Sequence, residues 1–491
     1  MNGRMKRYFA SVLTVLMLCG IAPFSAHAGT LIWNEKPDYI VGIEFPALAP
    51  AGVSIAAAGD TLRSPESYVE KRPFLRTLIE IEGFNILMTL FGKYIMEPDG
   101  TGFHVSWNSI VENMQAGMEW DDNAFMTNNF RHAYQGGMYF TAARDNGYDF
   151  YQSSMFSFLG STLWEYTGEA HHPAANDWLL TALGGISWGE MLYRFSDMVV
   201  DNTATGSGRA WRELGCLAIA PMREVNRLVT GAAFDVHANP PDKMPASSAG
   251  EFRVGTRTLG EEKLWTGANT KLFFGFDYAY NKLFDELRGK PFDYFDFGLQ
   301  LNLDNKPHGL GRVQIKGLLY GDLVSDTEKA QHMLGSFFHF DYFDNEAYTF
   351  GAQSIGGCFA SRFFTDETYT ARTELYLNVI LLGADKSDYF NISRREYDYG
   401  PGFNYRVGVA FGPEGRDVFS VAHEGSFIRS ISGTVADHYI NFTRLKLNLP
   451  IRSFLNLGAE YLLYIADRNY RDYPDVYARN PELMLYLFWS L

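Results

Sequence analysis

From Phe295 to Leu303 the chain reads Phe-Asp-Phe-Gly-Leu-Gln-Leu-Asn-Leu, apolar at every odd position and polar or glycine at every even one. The same alternation places Leu455, Leu457, Ala459, Tyr461, Leu463 and Ile465 against Asn456, Gly458 and Glu460. It also sets Leu272, Phe274, Phe276, Tyr278 and Tyr280 against Lys271, Gly275, Asp277 and Asn281. Side chains of a strand leave on opposite faces with period two, so each segment has one apolar and one polar face. Strands of soluble sandwiches average about 5–6 residues. Here the alternation persists for about 9–12, the length that crosses a bilayer at a tilt. The expected fold class is therefore α+β, an N-terminal α-helical domain followed by an antiparallel transmembrane β-barrel.

Strands are expected near 252–257, 270–281, 292–303, 311–323, 331–343, 346–362, 370–384, 397–412, 417–432, 437–449, 454–466 and 481–491. Twelve is an even number, as single-chain bacterial barrels require. Arg312, Gln314, Lys316, Arg406, Arg444, Lys446, Asn448, Asp277, Asp296 and Glu460 fall on the lumen face. Such charges must be paired or wet. Twelve strands leave room for a small channel or a partial plug, well short of the roughly 16–18 of a porin. Leu483, Leu485, Leu487, Trp489 and Leu491 form a terminal apolar row. It resembles the signal read by outer-membrane barrel assembly machinery, which is thus an expected partner during biogenesis, with outer-membrane lipids as the surroundings.

The N-terminus points to export. Arg4, Lys6 and Arg7 precede an apolar run from Ser11 to Cys19, and Ala26-His27-Ala28 is a small-x-small cleavage site. This predicts a signal peptide over 1–28 and a mature chain from Gly29. Bulky Leu18 before Cys19 argues against lipoprotein processing. No later segment offers the roughly 18 uninterrupted apolar residues of a membrane helix. Together these place the chain in the outer membrane of a Gram-negative bacterium. The formal net charge of −15 becomes three units more negative on loss of the signal cations. That disfavours nucleic acid, whose affinity comes from neutralising phosphates with Lys and Arg. Cys216 and Cys358 would remain in different regions, a weak basis for a disulfide. The chain has no zinc spacing, P-loop or dinucleotide fingerprint, so neither a metal nor any other cofactor is expected.

The Pro-, Ala- and Gly-rich stretch 29–72 reads as an extended arm, 73–232 as helical, 233–250 as a linker and 251–491 as the barrel. Helices are expected from about Asn129 to Asp145, from about Phe150 to Glu169, and from an Asn176-Asp177 N-cap pair to about Val200. On the second, Ser153, Ser157, Ser161, Glu165 and Glu169 recur every four residues. Thr181, Gly185 and Gly189 form a small-residue stripe on the third, with Glu190 beside it, and His132, Gly136, Tyr139 and Ala143 share a face of the first. Small stripes are contact faces, and Glu190 can pair with Arg194 one turn on. The alternative is a polar pocket. There His132 is a general base, Ser157 or Ser161 a nucleophile, and Glu165 or Glu169 an orienting carboxylate. Arg144, Glu190, Asn129 and Asp177 would then bind ligand. His423-Glu424-Gly425-Ser426 is a second, weaker His/Ser pair.

A resemblance lies on these same residues. Asn128-Asn129-Phe130-Arg131-His132-Ala133-Tyr134-Gln135-Gly136-Gly137-Met138-Tyr139 is followed by Ala143-Arg144-Asp145-Asn146-Gly147, Ser157, Trp164-Glu165-Tyr166, Glu169, Asn176-Asp177, Gly185 and Gly189-Glu190. The series resembles domain-of-unknown-function family 3943, over roughly residues 120–200. This chain has Ala133 where that family has Pro, and Ala174-Ala175 where it has Pro-Ser. The resemblance implies a bacterial envelope protein and brings no activity with it. The expected role is passive: envelope organisation, or passage of a small or lipidic solute, with the helical domain plugging the barrel or lying in the periplasm beneath it. A lipid- or envelope-modifying hydrolase or acyltransferase is the alternative. The oligomeric state is not legible.

Overall fold

The computed structural model describes residues 73–490, apart from 97–99, 286–288, 304–308, 366–367, 390–395, 414–415 and 453–454. The expected signal peptide and arm, and Leu491, lie outside the described residues. Seven α-helices are described: α1 (Phe74–Phe91), α2 (Trp107–Gln115), α3 (His132–Asp145), α4 (Phe150–Leu163), α5 (Ala175–Val199), α6 (Gly206–Ile219) and α7 (Pro221–Thr230). Wider π-helical turns adjoin three of them, at Gly92–Met96, Thr127–Arg131 and Trp164–Gly168. Twelve strands follow: β1 (Ser248–Leu259), β2 (Asn269–Tyr280), β3 (Phe295–Leu303), β4 (Leu310–Asp326), β5 (Ala330–Asp344) and β6 (Thr349–Phe364). The second half is β7 (Tyr369–Lys386), β8 (Tyr397–Pro413), β9 (Phe419–Arg429), β10 (Ala436–Arg452), β11 (Leu455–Tyr470) and β12 (Val476–Ser490).

The strands form one closed antiparallel barrel in which each pairs with its sequence neighbours and β1 closes on β12, Val254 opposite Leu487. Closure removes the edges that an open sheet would expose. The period-two pattern sorts the residues. Leu272, Leu301, Leu334, Leu377, Phe403 and Leu447 face outward and are exposed. Their neighbours face the lumen, where charge is paired. Arg253 meets Glu460 at 2.7 Å and also Asp277, which in turn accepts from Arg312 at 3.0 Å. Lys316 bridges Asp296 (2.7 Å) and Glu374 (3.3 Å), and Lys446 holds Glu251 at 2.8 Å. Arg406 pairs with Asp341, and Arg257 with Glu482.

The lumen is not uniform along its length. Asp277 and Asp296, nearer the rim where β1 begins and β12 ends, keep 36% and 38% of their side-chain surface open. Toward the opposite rim inward aromatic rings pack together. Phe343 contacts Phe442 at 5.5 Å, and Tyr348, from the β5–β6 turn, lies 5.2 Å from Tyr464. Ile380, Ile428 and Ile440 join this apolar layer. Beside it His438 is enclosed between Asp385 (2.8 Å) and Asp398 (3.3 Å), and Arg468 reaches Asp385 at 2.6 Å. His423 and Ser426 fall on opposite faces of β9. Glu424, in phase with Ser426, bonds lumenal Arg406, while His423 contacts Tyr405 and Thr443.

The helices neither plug this barrel nor sit beneath it. They pack as a bundle against the outer face of its wall. Trp188 of α5 lies 6.0 Å from Phe340 and 6.3 Å from Phe297, and Phe195 lies 5.3 Å from Tyr278. Phe125 stacks on Tyr342 at 5.4 Å, and Trp120 lies 5.7 Å from Tyr399. Phe340 and Tyr342 alternate with lumenal Asp341, and Phe297 with lumenal Asp296, so the contacts to these three rings are made from outside. The lumen already holds its own charges and rings, which is why no helix enters it.

Candidate functional site at the His132–Asp177 cluster

Backbone approach sets the geometry. A Cβ on Gly136 of α3 would come within 1.8 Å of the Thr181 carbonyl of α5, and one on Gly185 within 2.5 Å of Gly136. Only glycine permits such contact. α4 closes over the pair. Its Ser157 hydroxyl donates to the Gly136 carbonyl at 2.9 Å, and its Ser161 hydroxyl to the Trp178 carbonyl at 3.0 Å. Both hydroxyls are therefore spent on holding neighbouring helices, and neither is bonded to His132.

His132 is buried at the start of α3, and its nearest hydroxyl is that of Thr181, 3.1 Å from Nδ1. Its Nε2 lies 3.7 Å from Asp177. Asp177 accepts from Asn176 at 2.7 Å. Burial lowers the imidazole to about 4, against the opposing pull of Asp121. Burial also raises Asp177 well above the usual carboxyl range, reinforced by Glu165 and Asp121. His132 is therefore neutral near neutral pH and the contact is not an ion pair, while the upward shift of Asp177 favours its protonated form. Glu165, raised by burial and by Glu169, accepts the Ala174 amide at 2.7 Å and so secures the first turn of α5. Glu169 is half-buried, and its carbonyl takes Asn113 at 3.1 Å. The N-cap of α5 is Ala174, without a side-chain cap. Asn176 instead accepts the Asp121 amide at 2.8 Å, a tertiary bond in place of the expected cap.

Asp121 and Tyr397 escape the sequence pattern. Asp121 accepts from Asn128 at 3.2 Å, and Asn128 also donates to the hydroxyl of Tyr397 on β8, at 2.8 Å. Tyr397 itself donates to the Asn123 carbonyl. Asn129 donates to Phe125 at 3.3 Å, and its side chain rests on Gly351 of β6. The site thus spans the junction of bundle and wall.

Arg144 and Glu190 belong to a second cluster. Arg144 grips Glu190 with two bonds, 2.7 and 3.2 Å, while Arg194 adds a third at 2.9 Å. Burial pushes the Glu190 carboxyl up, but Arg144 and Arg194 outweigh it and hold the group below its ordinary range. Arg194 continues to the Pro291 carbonyl at 3.0 Å, tying α5 to the β2–β3 connection. Among the described residues no three His, Cys, Asp or Glu side chains are arranged to hold a metal ion. Cys216 and Cys358 are both free thiols.

No curated protein matches the chain. Among solved structures it is similar to the NanC porin, at 9% identity over 49% of this chain and 100% of that one, with a TM-score of 0.26. The KdgM porin gives 6% identity, 49% and 99% coverage and a TM-score of 0.23. OmpT, an outer membrane protein of Vibrio cholerae, gives 10%, 50% and 97%, and 0.22. Residues 117–222, from just before Asp121 into α7, match the family described as "Domain of unknown function (DUF3943)", so this chain carries a DUF3943 segment ahead of a closed twelve-stranded barrel.

Proposed function

We propose that the chain is an outer-membrane β-barrel whose task is envelope organisation: the barrel anchors the DUF3943 bundle at the membrane instead of serving as an open pore. One observation carries this reading. The lumen is crossed toward one rim by the Phe343–Phe442 and Tyr348–Tyr464 layer and by the buried Asp385–His438–Asp398 pairing. A general-diffusion channel needs a continuous wet path, and close-packed rings remove it. The apolar outward rows suit lipid, and closure of the wall leaves no open sheet edge to the hydrocarbon. A small or lipidic solute would have to move along the outside of the wall or wait for the ring layer to part. Export through the 1–28 signal, cleavage before Gly29 and insertion by the barrel assembly machinery complete the proposal. N-terminal sequencing of the membrane form checks the cleavage point.

The test is conductance. The purified chain in planar bilayers should show no persistent open level, and Phe343→Ala combined with Phe442→Ala should introduce one. Steady porin-like conductance of the native chain would overturn the reading.

A further inference from the structure

Three helices of the bundle are built inside out. In α1 every exposed residue is apolar or glycine, with Leu75, Ile79 and Leu87 at 67%, 62% and 60%. Its buried stripe carries Thr77 and Asn85, whereas a helix facing water shows the reverse. Its charged side chains turn toward the bundle. Arg76 donates to Asn146 at 2.6 Å, Asn146 donates to Glu80 at 2.6 Å, and Glu82 accepts from Thr167 at 3.2 Å. α6 and α7 repeat the inversion independently. Arg227 of α7 is buried on Glu213 of α6 at 2.8 and 2.9 Å, and Arg223 is buried on Asp197 and Asp145. Trp211, Leu214, Leu228 and Val229 point out, Trp211 at 74% and Val229 at 70%.

We propose that the outward faces of α1, α6 and α7 are immersed in the acyl chains of the bilayer that surrounds the barrel. The inference rests on the membrane-barrel reading above. Two features select lipid over a protein occupant. The bundle is seated on the same outer wall whose uncovered part is Leu301, Leu334 and Leu377, so its outer faces continue an apolar surface already directed at lipid. The inverted faces also lie on helices from separate parts of the bundle, so one medium covers both more readily than one partner does. Exposed apolar area of this extent is unfavourable in water, at roughly 25 cal/mol per Å². No described helix is long and apolar enough to cross a membrane alone. Contact through a face needs no crossing, because Arg76, Glu82, Arg223 and Arg227 turn inward and find polar partners within the bundle.

The test uses the full chain in phosphatidylethanolamine–phosphatidylglycerol vesicles, with the native cysteines replaced by serine and one nitroxide label per variant. Ile79→Cys and Leu87→Cys report the surroundings of α1 and Val229→Cys those of the α6–α7 side, Leu377→Cys the barrel wall, and Glu112→Cys an exposed polar helix position. The ratio of oxygen to nickel-chelate accessibility should be several-fold higher at 79, 87 and 229 than at 112, and should match 377. Nickel access at 79, 87 and 229 with a lipid-like 377 overturns the inference and leaves the barrel reading standing. Protection from both reagents overturns it in favour of a protein cover, whether a second copy or residues 29–72. A water-like 377 overturns the barrel reading itself. The native chain supplies a readout free of substitutions. A membrane-dissolved carbene precursor should label peptides covering 74–91 and 221–230, and label confined to barrel peptides would contradict the proposal.

Discussion

Glu190 shows what one side chain carries in this bundle. It is wholly buried, and its charge is shared between Arg144 and Arg194. Glu190→Gln keeps the shape and leaves two guanidinium groups without a carboxylate. Removing one partner from a buried charge network costs about 3–5 kcal/mol. The bundle's denaturation midpoint should fall accordingly, read from near-ultraviolet circular dichroism, while the barrel keeps its heat-modifiable migration. The His132–Asp177 contact behaves differently because burial favours the neutral form of each group. The lowered His132 contributes stability present above its ordinary 6.5 and lost as pH falls through about 4. The raised Asp177 contributes stability present below its ordinary 3.8 and lost as pH climbs through its folded value. Asp177→Asn should remove the loss on the rising side alone, so melting temperatures measured from pH 4 to 8 should decline less toward pH 8 than those of the native chain. An unchanged profile would contradict the upward shift of Asp177. His132, Glu165 and Glu190 were visible as chemistry-bearing residues on helical faces. Their division into two clusters was not, because Asp121, Arg144 and Tyr397 decide it through tertiary contacts. Tyr397 lies 269 residues from Asn128.

At the scale of elements, α3 and α5 meet where two glycines and a carbonyl leave no room for a methyl group. Gly136→Ala places a Cβ 1.8 Å from the Thr181 oxygen and should force the helices apart, with loss of the fixed aromatic signals around Trp188. Gly83→Ala is its counterpart on exposed α1. Nothing lies within 4 Å of the added Cβ, so the change should stabilise by about 0.5–1 kcal/mol. The small stripes on these helices were legible because spacing alone reports a contact face. The strands were legible for a similar reason, since period two over long segments admits few alternatives, and the Phe295–Leu303 run became β3 unchanged. The place of the bundle was not legible. Phe297, Ile315 and Phe340 beneath the helices are as apolar as Leu301 and Leu334, so the outward rows read alike whether a helix or lipid covers them.

For the whole molecule, a bundle on the outer wall and a lumen packed with its own side chains are two views of one arrangement. If the helices filled the lumen, the inward aromatic layer and the Arg253–Glu460 pair would have no space. The direct test is a disulfide between bundle and wall. A Cβ on Gly351, outward on β6, would stand 3.3 Å from the Cβ of Asn129, close to disulfide range. Ala352, next along the strand, faces the lumen. In membranes isolated under oxidising conditions, and with Cys216 and Cys358 replaced by serine, Asn129→Cys with Gly351→Cys should give a band that shifts on reduction. Asn129→Cys with Ala352→Cys should not. The reverse outcome, cross-linking through position 352 and none through 351, would place the helices inside the barrel and contradict the arrangement.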